Sequence, residues 1–191
     1  MNTKTEEKTV DRIHSALISL MKKKDYENIT VSDIIQEGKV SRSTFYAHFK
    51  NKDDVLDQLS GHIFSHVFSS GLTKEKGHDF SSQDVFDYSH LISHIFYHFK
   101  EDKELIGCIF LSSASHRFEK NLEPEIRKLV LKLVQTRMLY EEEVPEEILV
   151  QQYTSGLIGL LKYYTIEERK ESPEEMCSYF FSLYKGKNNY D

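Results

Sequence analysis

Three helix-start signals follow one another between residues 30 and 51, and they confine this part of the chain to short helices. Thr30-Val31-Ser32-Asp33 offers a capping threonine with an acid at the third helical position. Ser41 and Asn51 are the next two capping residues, and Gly38 stands where we expect a left-handed residue to end the first of these helices. The pattern therefore predicts a helix, a tight glycine turn and a second short helix.

Apolar residues in the same stretch are spaced so that the two short helices can share a small core. Phe45 and Phe49 lie on one face of the second helix, at a four-residue step. The other core candidates are Ile34, Ile35 and Val40. This is the layout of a helix-turn-helix, in which the second helix enters the major groove of DNA.

The second helix and its flanks carry positive charge without any acid. Residues 38–52 hold four cations and no acid, although the chain has a formal net charge of −6. A surface that binds phosphates needs hydrogen-bond donors and lacks acidic side chains, because phosphates would repel them. The alternative is a solvated basic edge without a partner. The caps, the turn and the aromatic anchors together favour a nucleic-acid surface.

The rest of the chain is poor in turn residues, with three prolines and eight glycines, which indicates helices joined by short loops. Prolines suit the first helical position, so we expect Pro124, Pro145 and Pro173 each to begin a helix. Residues 71–82 are predicted as a loop, and Gly186 is expected to end the last helix. Further helices are predicted at about 83–100, 102–118, 124–142, 145–166 and 173–185. The fold class is therefore all-α, with about nine helices.

Composition excludes several classes of protein. No run of about 18 apolar residues is present, so no membrane span is predicted. The polar N-terminus lacks the apolar core of a secretory signal, and Cys108 and Cys177 are expected to be buried, inert thiols, so we expect a cytoplasmic protein. A Gly-rich phosphate loop, a nucleophile elbow and a suitably spaced carboxylate pair are all missing, so no enzyme and no cofactor are predicted.

Residues 10–56 resemble the DNA-binding domain of the TetR family of transcriptional regulators, above all over ITVSDIIQEGKVSRSTFYAHFKNKDDVLDQL. The resemblance implies a helix-turn-helix domain over residues 1–55 and an effector-binding and dimerisation domain over residues 56–191. It implies a ligand-responsive repressor that binds a two-fold operator on double-stranded DNA as a homodimer. The alternative is a family member that acts through a partner protein. The residues implied to contact DNA are Thr30, Arg42, Ser43, Thr44, Tyr46, His48 and Lys52.

The C-terminal part is similar to the last two helices of these regulators, which build the dimer. The similarity lies in VPEEILVQQYTSGLIGLLKYY and SPEEMCSYFFSLY. Small residues there would allow close helix approach across a two-fold interface, whereas the alternative is that they relieve crowding inside one subunit. The implied dimer contacts are Gly156, Gly159, Tyr163 and Phe180.

The resemblance also implies a pocket for a small-molecule effector of unknown identity in the C-terminal domain. The candidate lining is Phe64, Phe68, Tyr88, His94, Phe96, Tyr97 and Phe99, and the alternative for these aromatic residues is ordinary core.

Histidines recur at four-residue steps in the same region, in the sets His62/His66 and His90/His94/His98. Such imidazoles can share a metal ion. A four-residue step drifts by about 40° around the helix, and no carboxylate or thiolate motif accompanies the histidines. We therefore expect solvated or pocket-lining histidines and predict no metal site.

Overall fold

The computed structural model describes residues 3–68, 74–75, 78–79, 88–139, 143–167 and 169–184. The helices in these ranges are α1 (Thr3–Met21), α2 (Val31–Gly38), α3 (Arg42–His48), α4 (Lys52–Val67), α5 (Tyr88–Glu101), α6 (Lys103–Phe110), α7 (Ser115–Gln135), α8 (Glu146–Ile166) and α9 (Pro173–Tyr184). A 3-10 turn covers Tyr26–Asn28. The all-α prediction is confirmed. None of the described helices is both long and apolar enough to cross a bilayer.

Part of the predicted loop is a minimal β-hairpin. Strand β1 (Lys74–Glu75) pairs antiparallel with β2 (His78–Asp79), so that Lys74 lies opposite Asp79 and Glu75 opposite His78. The rest of residues 71–82, and Gly186, lie outside the described residues.

The chain divides into two compact units. The first contains residues 1–63 and 104–121, and the second contains residues 64–103 and 122–191. Helix α6 and the start of α7 therefore belong with the helix-turn-helix. One reason is Arg117 of α7, whose Nε donates to Oδ1 of Asp57 on α4 at 2.7 Å. The predicted division at residue 55 concerns function and stays a prediction.

The predicted helix caps form as the sequence indicates. Oγ1 of Thr30 accepts from the Asp33 amide at 3.2 Å, and the Asp33 carboxylate accepts from the Thr30 amide at 2.8 Å. Oγ of Ser41 caps α3, and Oδ1 of Asn51 accepts from the Asp54 amide to cap α4. Before α9, Ser172-Pro173-Glu174-Glu175 forms the same reciprocal pair of bonds, with Pro173 as the first helical residue.

The prediction that Pro124 begins a helix is wrong, because it lies inside α7. The buried apolar stripe continues through the proline, with fully buried residues at Phe118, Leu122, Ile126, Val130 and Leu133. An interior proline costs roughly 3 kcal/mol, whereas each buried side chain of this size contributes about 1.5–3 kcal/mol. Burial on both sides of Pro124 therefore outweighs the lost hydrogen bond. Pro145 was predicted to be the first residue of a helix, but it is the N-cap residue of α8, one position earlier.

Gly38 is not the left-handed residue that ends α2. That position is Lys39, with φ of 50°, and Gly38 is the last residue of the helix. A Cβ atom on Gly38 would lie 3.4 Å from Cβ of Ala16 and 3.5 Å from the carbonyl oxygen of Arg12. These are ordinary van der Waals separations, so neither the backbone conformation nor the contact with α1 requires glycine at this position.

Candidate nucleic-acid interface

Helix α3 is anchored by its aromatic face. Phe45 and Phe49 are both fully buried, and their ring centroids lie 5.8 Å apart. Phe49 also meets the ring of His14 on α1 edge-on, at 5.7 Å. Burial lowers the pKa of His14, and nearby His62 lowers it further. A neutral His14 therefore packs against the anchor without bringing a charge into the core.

The opposite face of α3 presents polar side chains. Arg42, Ser43 and Ala47 are exposed, and Tyr46 has 51% of its surface exposed. Thr44 and His48 are half-buried at the edges of this face. The face contains no acid. The structure thus places five predicted DNA contacts on the part of a single two-turn helix that the Phe45–Phe49 anchor leaves uncovered: Arg42, Ser43, Thr44, Tyr46 and His48.

Hydrogen bonds within the first unit hold the start of α3 in place. Oγ of Ser41 lies 2.8 Å from Oγ of Ser43 and 2.7 Å from Oγ1 of Thr44. A guanidinium nitrogen of Arg42 donates to Oγ of Ser32 on α2 at 3.3 Å. These hydroxyls and the guanidinium are oriented before any ligand arrives, which lowers the entropy that binding must overcome.

Thr30 acts as a cap in the structure. Its hydroxyl donates to Oδ2 of Asp33 at 2.8 Å, and the same carboxylate accepts from Nζ of Lys24 at 2.8 Å. The bonds from Lys24 and Thr30 lower the pKa of Asp33 to about 2. Thr30 is exposed, and its phosphate contact stays a prediction.

Lys52 is used differently from what the sequence suggests. Its Nζ donates to the carbonyl oxygens of Tyr26 at 2.8 Å, Ile29 at 2.9 Å and Glu27 at 3.0 Å. The ammonium also lies 4.6 Å from the centroid of the Tyr26 ring. An ammonium has three donors, so Lys52 has none left for a phosphate in this conformation. It closes the end of the 3-10 turn, where the Tyr26 carbonyl also accepts from the Ile29 amide at 3.1 Å.

We expect Lys52→Met to lower the free energy of unfolding by about 2–3 kcal/mol, because three carbonyls lose a charged donor. Lys50→Met is the matched control, since Lys50 is an exposed lysine two residues away and should change stability by less than about 0.5 kcal/mol. Urea unfolding of both variants measures the difference. If the urea midpoint of Lys52→Met were unchanged and the salt dependence of DNA binding became shallower, Lys52 would instead contact a DNA phosphate.

Sequence reasoning missed the network that supports the start of α4. The phenol of Tyr26 donates to Oδ1 of Asp53 at 2.6 Å, and Arg117 lies 3.4 Å from Oδ2 of the same carboxylate. Burial raises the pKa of Tyr26, and the bond to Asp53 raises it further. These partners are 27 and 64 residues apart along the chain, so no local spacing could have revealed them.

The predicted effector lining falls within the second unit. Phe64, Phe96 and Phe99 are buried, whereas Phe68 and Tyr97 are half-buried. The Phe96 ring meets Tyr164 of α8 edge-on at 5.5 Å. The side chain of Tyr88 lies outside the described residues, so the lining as a whole stays a prediction.

The histidines do not share one environment. His62 is exposed and His90 half-buried, whereas His94 and His98 are buried. Burial leaves the pocket-lining alternative for His94 and His98, because α8 and α9 pack against α5, and that alternative stays a prediction. The side chain of His66 lies outside the described residues.

The predicted dimer contacts separate into surface and core. Gly159 is exposed, Gly156 is half-buried, and Tyr163 is 45% exposed with the Arg169 guanidinium 4.9 Å above its ring. Phe180 is fully buried beside Phe181, with ring centroids 5.5 Å apart. We therefore withdraw Phe180 as a contact with a second chain. The exposed apolar residues of α9 are Tyr179 and Leu183.

Comparison with known proteins places both parts of the chain in one group. Residues 13–59 match the family model described as bacterial regulatory proteins, tetR family. Residues 87–186 match the model described as the C-terminal region of transcriptional regulators, which is more than half of the chain.

Individual relatives agree with the two models. The crystal structure of a TetR transcriptional regulator from Streptococcus agalactiae 2603V has 28% identity and a TM-score of 0.68, and the match covers 95% of this chain and 96% of that one. An uncharacterised helix-turn-helix regulator of Haemophilus influenzae is 27% identical over 97 residues, 51% of this chain and 50% of the relative. The dhaKLM operon activator DhaS of Lactococcus lactis is 33% identical over 69 residues, 36% of this chain and 37% of the relative. The chain thus spans half or less of these two curated relatives.

Proposed function

This chain belongs to the TetR family of bacterial regulatory proteins, and from that premise we propose that it is a cytoplasmic, ligand-responsive repressor that binds a two-fold operator as a homodimer. The matched families are transcriptional regulators and not enzymes. The observation that carries the proposal is the outward face of α3, where a buried Phe45–Phe49 anchor supports exposed polar side chains without an acid.

The contacts on this face suit a DNA groove. Arg42 can donate two parallel hydrogen bonds to a guanine edge or a phosphate, and the Ser43 and Thr44 hydroxyls can donate or accept. Ala47 offers a methyl group to a thymine methyl. Since α3 has seven residues and reads only a few base pairs, tight binding requires a second head on the next half-site.

The exposed face of α8 supports a homodimer. Ile148, Ser155, Gly159 and Tyr163 follow one another at helical spacing, and all four are exposed. The apolar residues stand at the ends of this stripe, with Ile148 52% exposed, and the small residues stand in the middle. On α9, which packs against α8, the apolar residues Tyr179 and Leu183 are exposed as well, and a second copy would cover such residues.

A buried polar atom supports a response to a ligand. Oγ1 of Thr154 on α8 is buried and has no hydrogen-bond partner in the described part of the chain. Buried hydroxyls nearly always have a partner, and a polar group of an effector would supply one. An effector that binds one conformation of the dimer more tightly would shift the population towards it and change operator affinity.

The test is footprinting with the purified chain on the DNA upstream of its own gene. We expect a protected two-fold site and an affinity that falls steeply as salt rises. Arg42→Ala should weaken binding about tenfold or more, as for loss of one bidentate contact. The control is Arg127→Ala, which removes an exposed arginine of the second unit. Absence of protection at low ionic strength, or equal binding by Arg42→Ala, would contradict the assignment.

The second candidate is a regulator that activates, or that acts through a partner protein. The similarity to DhaS favours it, because that relative is described as a transcriptional activator. A reporter gene behind the protected site separates the possibilities: deletion of the regulator raises expression under repression and lowers it under activation. A partner-dependent regulator leaves no footprint until the partner is added.

A further inference from the structure

The chain turns sharply at Lys39, between α2 and α3. Its φ of 50° and ψ of 44° lie in the left-handed region, which is unfavourable for a residue that carries a Cβ atom. The Lys39 amide donates to the Gln36 carbonyl and the Val40 amide to the Ile35 carbonyl, each at 3.2 Å. These two bonds end α2. The last carbonyls of a helix need partners from elsewhere in the protein.

Arg12 of α1 supplies a partner for two carbonyls at this turn. Its Nη2 donates to the Gly38 carbonyl oxygen at 2.7 Å and also to the Lys39 carbonyl oxygen. The Gly38 carbonyl belongs to the peptide plane before the Lys39 Cα atom, and the Lys39 carbonyl belongs to the plane after it. Since φ and ψ of Lys39 set the angle between these planes, one guanidinium nitrogen holds both dihedral angles of the turn.

We propose that Arg12 is a positioning residue for operator recognition, because it holds the turn that sets the orientation of α3 against α2. The inference rests on the proposed binding of DNA. Hydrogen bonds to base edges weaken steeply when donor and acceptor are misaligned, so a loosely held α3 loses base contacts. Phosphate contacts carry little sequence information and tolerate such errors better. Arg12 should therefore matter for operator binding much more than for binding to other DNA.

The neighbouring bonds between α1 and α2 end on a side chain instead of the turn. Nζ of Lys23 donates to Oε1 of Glu37 at 2.9 Å, and Oγ of Ser19 donates to the same oxygen at 2.6 Å. The Glu37 side chain can rotate without moving the backbone, so these bonds do not hold the dihedral angles of Lys39. Lys23→Met is thus the matched control for Arg12→Met, since both substitutions remove one cation from α1.

Binding of the full chain to operator and non-operator duplexes tests the proposal. Arg12→Met should weaken operator binding at least about tenfold, as expected for loss of charged hydrogen bonds, and change non-operator binding less than about threefold. Arg12→Lys keeps the charge and several donors, so it should retain most of the discrimination. Lys23→Met should bind both duplexes as the wild type does.

Hydrogen exchange gives a measurement that needs no DNA. The Val40 amide follows the turn directly, and its bond to the Ile35 carbonyl depends on the dihedral angles of Lys39. In Arg12→Met this amide should exchange at least about tenfold faster than in the wild type. In Lys23→Met its exchange should be unchanged.

A second substitution separates positioning from stability. Glycine adopts the left-handed conformation without strain, so Lys39→Gly in the Arg12→Met background should raise the urea midpoint. Glycine also leaves the turn freer, and the discrimination between operator and non-operator DNA should therefore stay low in the double variant. Recovery of that discrimination together with stability would show that Arg12 only stabilises the fold.

The remaining outcomes are equally decisive. If Arg12→Met weakened both duplexes alike and made the salt dependence shallower, Arg12 would be a phosphate contact and the proposal would be wrong. Wild-type discrimination by Arg12→Met, or unchanged exchange of the Val40 amide, would overturn it as well. A wild type that does not distinguish operator from other DNA would defeat the proposed function together with this inference, whereas the other results defeat the inference alone.

Discussion

Replacing Gly159 with arginine is expected to abolish dimerisation and to lower operator affinity at least about 100-fold, while each chain stays folded. A Cβ atom at this position meets nothing within 4 Å in its own chain, so the substitution strains no contact there. Arginine also favours a helix over glycine, by roughly 1 kcal/mol. If a second copy covers α8, however, the long cation has no room and no partner. Two linked heads gain about 10²–10⁴ in affinity, which a monomer loses.

Gly61→Arg is the matched control for this experiment. Gly61 is an exposed helical glycine of α4, and a Cβ atom there also meets nothing within 4 Å. Both variants add the same charge and gain the same helix propensity, so only the position differs. Analytical ultracentrifugation gives the oligomeric state, and fluorescence anisotropy gives operator affinity. A Gly159→Arg protein that sediments as a dimer would show that this face of α8 is not the interface.

Phe45→Ala and Tyr46→Ala are expected to separate stability from recognition at neighbouring positions. Phe45 is the fully buried residue of α3, and its replacement by alanine should lower the free energy of unfolding by about 3–5 kcal/mol. A loss of this size is enough to unfold much of the first unit. Tyr46 is half-exposed, and its loss should change stability by less than about 0.5 kcal/mol. Tyr46→Ala should nevertheless alter the preferred base pairs of the operator, because its ring stands on the outward face.

Thermal unfolding followed by circular dichroism measures the first effect, and operator libraries with single base-pair changes measure the second. For Tyr46→Ala, we expect discrimination at one or two positions of each half-site to fall by about 1–3 kcal/mol per base pair. An unchanged preference profile would remove Tyr46 from the recognition surface. A Phe45→Ala protein with wild-type stability would mean that α3 does not depend on this anchor.

Local signals in this sequence were sufficient for the helix-turn-helix itself. The Thr30, Ser41, Asn51 and Ser172 caps all form, because a capping bond joins residues only two or three positions apart. The burial of Phe45 was predictable for the same reason, since a four-residue step places it beside Phe49 on one helix face. The resemblance to the TetR family extended these local predictions to both parts of the chain.

Tertiary contacts decided what the local patterns assigned wrongly. Lys52 was predicted to contact a phosphate, but in the fold three carbonyl oxygens at the 3-10 turn surround its ammonium. Pro124 looked like a helix start, but the buried stripe of α7 runs through it. The pairing of Arg117 with Asp57 likewise joins residues 60 positions apart.

The order of residues along this chain thus determined where most helices begin, which face of α3 is apolar and which is polar. Only the folded chain decided which polar groups remain available on that surface and which are used inside the protein. The physical reason is range: a capping bond depends on the nearest few residues, whereas the partner of a lysine and the burial around a proline depend on segments brought together by packing.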